Sequence, residues 1–224
     1  VERAIQDTSK AIEEEHSVNW SQMLKLIHLT GMEKSMKNQY QNASNISARI
    51  QLHNKYSTNT QGWFPWIFDQ CHMAEHSTVL EIGCGDGSLW LENKEKIPKQ
   101  LHVVLSDISE GMLRDTRRAI HANVKTSRFD FQVFDCERIP YPDNSFDLVI
   151  ANHILFYCKN LTSVFEEISR VLKTGGTFVC STYGAAHMKE INELVSEFDD
   201  RIVLSADRLF ERFGKENGAD LLAP

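Results

Sequence analysis

Short apolar segments alternate with longer amphipathic segments between residues 79 and 183. The short segments are rich in Val, Ile, Leu or Phe, as strands buried on both faces of a sheet are. There are five of them, at Val79 to Ile82, His102 to Ser106, Phe131 to Phe134, Phe146 to Ala151 and Thr177 to Ser181. Because strands that alternate with helices are typical of repeated βαβ units, the pattern predicts an α/β protein with a mostly parallel, doubly wound sheet flanked by helices.

The amphipathic segment before the fifth strand has recognisable helix boundaries. Its apolar residues recur at helical spacing, at Leu161, Val164, Phe165, Ile168, Val171 and Leu172. Asn160 has the chemistry of a helix N-cap, and Gly175 that of a C-terminal stop, so we predict a crossover helix between them. Pro142 to Ser145, reading PDNS, has turn chemistry and is expected to lead the chain into the fourth strand.

The remaining parts of the chain read as helical. Apolar residues before residue 60 recur at helical spacing, which predicts two or three helices. The composition changes near Trp63, and we therefore divide the chain into an N-terminal helical segment, residues 1–62, and a core, residues 63–224. A helix is also predicted around Ile191 to Phe198, and no further strand is convincing after Tyr183.

Composition and charge narrow the class of protein. The 224 residues carry a formal net charge of −7 and leave no basic face for phosphates, so a small molecule is expected as partner and a nucleic acid is not. No apolar run approaches the roughly 20 residues that span a bilayer, and the N-terminus is too polar for a secretory signal, so we expect a cytoplasmic protein without a membrane partner. Five cysteines without a CxxC pair are expected to be reduced and mostly buried.

A glycine-rich turn follows the first predicted strand. The sequence Glu81-Ile82-Gly83-Cys84-Gly85-Asp86-Gly87 places closely spaced glycines where a ligand can approach the backbone. The dinucleotide pattern G-x-G-x-x-G would need glycine or alanine at position 88, which is Ser88, and this argues against NAD and FAD. An ordinary turn between a strand and a helix remains the alternative.

Acidic residues end the next two predicted strands. Asp107 could accept hydrogen bonds from both hydroxyls of a ribose, or it could be the N-cap of the following helix. Asp135 could accept from an adenine amino group, while the backbone N–H of Cys136 meets a ring nitrogen. Because ligands of open α/β sheets bind at the carboxyl ends of the strands, these residues together indicate an adenosine-containing ligand.

The chain resembles the class I S-adenosylmethionine-dependent methyltransferases over roughly residues 64 to 183. The resemblance is carried by VLEIGCGDG, LSDIS, FDCERIPYPDNSFDLVIANHILFY and ISRVLKTGGTFVCSTYG, in this order. It implies a Rossmann-like methyltransferase fold, with S-adenosylmethionine as cofactor and S-adenosylhomocysteine as product. The family normally has seven strands, the last two forming a hairpin, so we expect this hairpin to be missing from the chain after Pro224.

The resemblance also assigns roles to individual residues. Glu81, Gly83, Cys84, Gly85 and Gly87 are implied to shape the pocket for the methionine part of the cofactor. Asp107 would hold the ribose, and Asp135 and Cys136 would contact the adenine edge. Ile108 and Met112 would pack near adenine, with plain core packing as the alternative, and Ala151 and Asn152 would lie near the methionyl group or the transferred methyl.

The sequence identifies the residues around the methyl acceptor less clearly than those around the cofactor. His153 follows the fourth strand and is the candidate general base, although a histidine that bonds a loop or lines the pocket is the simpler interpretation. Tyr157 is a second lining candidate. Tyr56 and Trp63 belong to an aromatic segment before the core, and by resemblance residues 1–62 are expected to form a lid over the acceptor, whereas Trp66 is expected to anchor a helix on the sheet.

Three functions remain open from the sequence. The first is a methyltransferase that acts on a small-molecule acceptor by direct displacement. The second is a non-catalytic S-adenosylmethionine-binding protein that regulates or binds a partner on the same fold. The third, a nucleotide-dependent oxidoreductase, is disfavoured by Ser88. No metal is expected, because Cys71, His72 and His76 have no matching carboxylate, although the two histidines could share a helical face.

Overall fold

The computed structural model describes residues 55, 57–125, 127–187, 189–199 and 208–223. Of these, residues 189–199 belong to one compact unit and all the others to a second, and each unit is described by itself. The predicted lid, residues 1–62, lies almost entirely outside the described residues. Within the part of the chain that is described, no helix is long and apolar enough to cross a membrane.

The second unit is built on a sheet of five parallel strands in the order β3-β2-β1-β4-β5. The strands are β1 Thr78–Ile82, β2 His102–Asp107, β3 Arg128–Val133, β4 Phe146–Asn152 and β5 Leu172–Ser181. The five predicted strands and their parallel arrangement are therefore confirmed. Strand order reverses between β1 and β4, and at such a switch point the loops diverge and leave a crevice for a ligand.

Helices of the second unit cover both faces of its sheet. In chain order the described helices are α1 Trp63–Gln70, α2 Ser88–Leu91, α3 Glu110–Asn123, α4 Leu161–Val171 and, in the other unit, α5 Lys189–Phe198. Two 3-10 turns, Leu155–Tyr157 and Leu209–Glu211, and a short C-terminal helix, α6 Gly218–Leu222, complete the described elements. In the described residues after Ser181, namely 182–187, 189–199 and 208–223, no strand is present.

The predicted crossover helix is confirmed, but its predicted stop is wrong. Asn160 caps α4, since its Oδ1 accepts from the backbone N–H of Ser163 at 3.2 Å. The helix ends at Val171, four residues before Gly175, which lies at φ 79° inside the irregular first half of β5. Regular pairing of β5 with β4 begins only at Thr177, where the sequence predicted the strand to start.

Two apolar layers hold the unit together, one on each face of the sheet. Alternate residues of β1 serve different layers: Val79 packs with α1, α2 and α3, whereas Leu80 packs with α4 and the first 3-10 turn. The helix α1 is anchored by Ile67 and Phe68, which are buried. The expectation that Trp66 anchors it is wrong, because Trp66 is 42% exposed.

Candidate functional site

The glycine-rich turn connects β1 to α2 through tight backbone contacts with β2. The backbone N–H of Cys84 donates to the carbonyl of Ser106 at 2.9 Å, and that of Gly85 donates to Asp107 Oδ2 at 3.2 Å. Gly83, Gly85 and Gly87 all have positive φ, at 67°, 56° and 78°. Because residues with a Cβ atom rarely adopt this conformation, the spacing of the three glycines sets the path of the turn.

Two of these glycines are also required by packing against neighbouring side chains. A Cβ atom on Gly83 would lie 2.2 Å from Ile154 Cδ1, and one on Gly87 would lie 2.8 Å from Thr116 Cγ2. Thr116 cannot turn away easily, since its hydroxyl donates to the carbonyl of Gly85 at 2.5 Å. The turn is therefore held between α3 below and the segment after β4 beside it.

Glu81 is buried under the turn and bonds to an indole. It is 2% exposed, and its Oε2 accepts from Trp90 Nε1 at 2.6 Å. Burial raises the pKa of Glu81 to about 8, with smaller contributions from the charges of Asp86 and Asp107, whereas the Trp90 bond acts in the opposite direction. The carboxyl group is therefore mostly protonated at neutral pH.

The raised pKa of Glu81 predicts a pH-dependent stability. Since the folded protein holds this proton up to about pH 8 and the unfolded chain only to about the ordinary value of 4.5, the contribution of Glu81 is complete below pH 4.5 and declines as pH rises to 8. The slope is at most about 1.4 kcal/mol per pH unit. Glu81→Gln keeps an acceptor for Trp90 and should flatten this decline.

Urea unfolding of wild type and Glu81→Gln at pH 5.5 and pH 8 measures the difference. The wild type should lose more stability between the two pH values than the variant does, because the other titrating groups are common to both. Equal losses would show that Glu81 is ionised in the folded protein throughout this range.

Asp107 lies at the end of β2 and is held by two backbone N–H groups. Its Oδ1 accepts from Ser109 at 2.8 Å and its Oδ2 from Gly85 at 3.2 Å. Burial raises the pKa of Asp107, and the N–H bonds oppose this shift. The N-cap of α3 is Ser109, whose hydroxyl accepts from Met112, so Asp107 does not have the capping role. An ionised carboxylate has about four acceptor positions, so acceptor capacity remains for hydroxyl groups of a ligand.

The residues near the ends of β2 and β3 differ in exposure. Asp135 is exposed, and its Oδ1 accepts from the backbone N–H of Glu137 at 3.0 Å, which leaves the second oxygen for a ligand. Cys136 is half-buried beside it. Ile108 is 73% exposed. Met112 is 1% exposed and packs in the core, which is the alternative to a position near adenine.

At the end of β4, Asn152 joins three elements. Its Oδ1 accepts from Trp63 Nε1 at 3.2 Å and from Ser181 Oγ at 2.6 Å. An indole N–H can only donate, so the atom that it contacts must be the amide oxygen. The amide NH₂ therefore points away from both donors, and among the described residues it has no hydrogen-bond partner.

Ser181 also holds His153, the candidate base. The backbone N–H of His153 donates to Ser181 Oγ at 3.0 Å, and this residue has a φ of 54°, which is uncommon for a residue with a Cβ. Burial, assisted by the charge of His187, lowers the pKa of His153 to about 4. The imidazole is therefore neutral at pH 7, and its low basicity favours the pocket-lining interpretation over general-base catalysis.

Aromatic side chains cover this end of β4. The ring of Trp63 stacks on His153 with centroids 4.7 Å apart and lies 5.4 Å from the ring of Trp66. The two tryptophans, with Asn59 and Gly62, line a cleft of about 250 Å³. The structure thus brings together Trp63, Asn152 and His153, which were predicted separately.

The remaining candidate residues for the acceptor site and for a metal site lie in different parts of the chain. Tyr56 lies outside the described residues, and Tyr157 is half-buried in the 3-10 turn that follows β4. His72 and His76 do not share a helical face, because α1 ends at Gln70. In the described parts of the chain no cluster of three or more His, Cys, Asp or Glu side chains could hold a metal ion.

Three residues that contribute to the site were not predicted from the sequence. Ser181 orients Asn152, Trp90 binds Glu81, and Ile154 packs against Gly83. Each is distant in sequence from its partner or has an apolar side chain that reads as core, so no spacing identifies it. The carboxyl end of β5 was the one available signal, because a polar residue there lies at the same edge as Asn152.

Comparison with known proteins shows similarity to methyltransferases. Residues 80–180 match the family model described as a methyltransferase domain. The chain is 32% identical over 118 residues to a demethylmenaquinone methyltransferase of Symbiobacterium thermophilum, covering 53% of this chain and 47% of that protein. It is 29% identical over 144 residues to a ubiquinone/menaquinone biosynthesis C-methyltransferase of Geobacter sulfurreducens, covering 63% of this chain and 55% of the relative. The chain therefore spans about half the length of the curated relatives it matches.

A solved structure supports the fold. Phosphoethanolamine N-methyltransferase 2 of Haemonchus contortus, crystallised with phosphomonomethylethanolamine and S-adenosylhomocysteine, matches with a TM-score of 0.60 and 22% identity. The match covers 84% of this chain and 42% of that chain. At this identity the likeness concerns the fold, in agreement with the five-stranded parallel sheet.

Proposed function

We propose that this chain binds S-adenosylmethionine at the carboxyl edge of its sheet and transfers the methyl group to a small-molecule acceptor. The observation that carries the proposal is the arrangement of the Gly83 to Gly87 turn after β1 with the Asp107 and Asp135 carboxylates after β2 and β3. The two carboxylates keep acceptor capacity on neighbouring strands, which fits the ribose hydroxyls and the amino group of an adenosine.

Each part of the edge would hold one part of the cofactor. Asp107 would accept from the ribose hydroxyls, and Asp135 with the Cys136 backbone would meet the adenine edge. The methionine part would lie along the turn at Gly83 and Gly85 toward Ala151 and Asn152, across the point where strand order reverses. Ile108, exposed beside Asp107, is available to cover the adenine ring.

When bound, S-adenosylmethionine supplies an electrophilic methyl group on a sulfonium. The residues of this chain then have to align the acceptor and exclude water, which accounts for much of the rate in displacements of this kind. Trp63 and His153 form a stacked apolar wall at the end of β4. A neutral imidazole in this wall does not repel a cationic sulfonium.

The acceptor is inferred to be small and to carry an oxygen near the reacting atom. The relatives support a small molecule, since their names include demethylmenaquinone and sterol methyltransferases. The cleft beside Trp63 and Trp66 has a volume of about 250 Å³ and no charged lining residue. The amide NH₂ of Asn152 is a donor, so it fits a carbonyl, phenol or enol oxygen better than an ammonium group.

The proposal is tested first by cofactor binding and then by methyl transfer. Calorimetry should show binding of S-adenosylhomocysteine and no comparable binding of NADH. Incubation with S-adenosylmethionine and a metabolite extract should then yield at least one compound heavier by one methylene group. Binding without any methylated product would favour the non-catalytic alternative, and binding of NADH alone would overturn the proposal.

Asn152→Asp is the matched variant for the acceptor side. The substitution keeps an oxygen for Trp63 Nε1 and Ser181 Oγ and changes only the outward group from a donor to an anion. Methylation of an oxygen-bearing acceptor should fall about 10- to 100-fold, while the affinity for S-adenosylhomocysteine is retained. If the affinity for S-adenosylhomocysteine falls instead, Asn152 contacts the carboxylate of the cofactor, and if neither falls, its NH₂ contacts no ligand.

A further inference from the structure

Two cysteines from different loops face each other beside the adenine end of the site. The sulfur atoms of Cys136 and Cys158 are 3.4 Å apart, and both thiols are free. Cys136 follows Asp135 in the turn after β3, and Cys158 caps the 3-10 turn after β4. All five cysteines lie within the described residues, and no other pair of them is hydrogen-bonded there.

A second interaction holds the two loops together independently of the sulfur atoms. Glu137 Oε1 accepts from the backbone N–H groups of Lys159 and Asn160, each at 2.9 Å. The residues that follow the two cysteines are therefore tied to each other. A disulfide needs its sulfur atoms about 2.05 Å apart, so closure requires the two sulfur atoms, now 3.4 Å apart, to approach each other by about 1.4 Å.

Cys158 is 9% exposed and borders a cleft, whereas Cys136 is half-buried. The cleft has a volume of about 470 Å³ and is also lined by Lys159, Leu161 and Arg212. Cys71 and Cys84 are buried in the apolar layer on the other face of the sheet, and burial raises the pKa of both.

We propose that Cys136 and Cys158 form a reversible disulfide that controls cofactor binding. Peroxide converts the Cys158 thiol to a sulfenic acid and releases one water. The Cys136 sulfur then attacks the Cys158 sulfur, the S–O bond breaks, and the hydroxyl leaves as a second water with the proton of Cys136. A dithiol reductant returns both thiols and is itself oxidised to a disulfide.

The order of the two steps follows from the surroundings of Cys136. The contact with the Cys158 sulfur and burial raise the pKa of Cys136, so this thiol is the weaker target for the oxidant and the resolving partner. Closure draws the backbone after β3 toward the turn after β4. Since the Cys136 backbone N–H meets adenine in the proposed function, on which this step rests, the disulfide should weaken cofactor binding.

Peptide mapping of the full chain tests the disulfide without any ligand. After treatment with hydrogen peroxide and alkylation of the remaining thiols, the peptides that contain Cys136 and Cys158 should be joined and lighter by two hydrogens. Cys158→Ser should abolish the joined species, and Cys136→Ser should leave a sulfenic acid that reacts with dimedone. Cys180→Ser is the matched control and should form the joined species as wild type does. Absence of this species from oxidised wild type overturns the proposal.

Calorimetry with S-adenosylhomocysteine tests the control of binding. Oxidised protein should bind about fivefold or more weakly than reduced protein, and dithiothreitol should restore the affinity. Cys158→Ser should bind equally before and after peroxide. A disulfide that leaves the affinity unchanged also overturns the proposed control. If reduced wild type does not bind S-adenosylhomocysteine, the proposed function fails, whereas the peptide map still decides whether the disulfide forms.

Discussion

Gly87→Ala is expected to lower the free energy of unfolding by about 3 kcal/mol. Placing a Cβ atom at positive φ costs about 1–2 kcal/mol, and overpacking adds about 1–3 kcal/mol. The added atom would lie 2.8 Å from Thr116 Cγ2. Thr116 is completely buried, and its single O–H hydrogen is shared between the carbonyls of Gly85 and Met112, so the side chain cannot move aside without losing this hydrogen bonding.

Gly175→Ala provides the matched control for this substitution. Gly175 has nearly the same φ, 79°, but a Cβ atom there would meet nothing within 4 Å. The free energy of unfolding should therefore fall by about 1–2 kcal/mol, from backbone conformation alone. Urea unfolding of the two variants and wild type measures both effects. Equal losses in the two variants would show that the contact with Thr116 relaxes without cost.

Asp107→Asn is expected to weaken binding of S-adenosylhomocysteine about 100-fold. The carboxylate accepts from Gly85 and Ser109 and, in the proposed function, from the ribose hydroxyls. The substitution keeps the shape of the side chain but replaces one acceptor oxygen with an NH₂ donor. This donor then faces a backbone N–H or a ribose hydroxyl, and the side chain has fewer acceptor positions for either. Hydrogen bonds to a charged group contribute about 1.5–3 kcal/mol each, so the loss of one or two accounts for this factor.

Asp130→Asn is the control for Asp107→Asn. Asp130 lies in β3 and pairs with His102 at 2.7 Å, at the opposite end of the sheet from the proposed ligand. This variant should bind S-adenosylhomocysteine as wild type does in calorimetry. An unfolding midpoint near that of wild type is required of both variants. A loss of less than about threefold in Asp107→Asn would exclude a hydrogen bond from this carboxylate to the cofactor.

The central strands were predictable because their environment is uniform. β1, β2 and β4 are covered on both faces, so they read as continuous apolar segments and were predicted within one residue at each end. The edge strands were predicted less well. β3 begins at Arg128, three residues before the prediction, because an edge strand tolerates polar residues such as Arg128 and Asp130.

Some residues of the site were predictable from the sequence, and others were not, for similar physical reasons. The glycine turn, Asp107 and Asp135 were predicted because each lies at or just after the end of a strand, and the carboxyl ends of parallel strands share an edge. The bonds from Ser181 and Trp63 to Asn152 could not be predicted, since they join residues 29 and 89 positions apart. Their partners depend on which strand lies beside β4 and on where α1 packs.

By itself, the sequence determined the alternation of strands and helices, the glycine turn and the carboxylates at the strand ends, because these depend on local periodicity and on the common direction of the strands. Tertiary structure alone decided the protonated state of Glu81, the low basicity of His153 and the contact between Cys136 and Cys158. Burial and pairing across loops produce these properties, and neither is encoded in the spacing of residues along the chain.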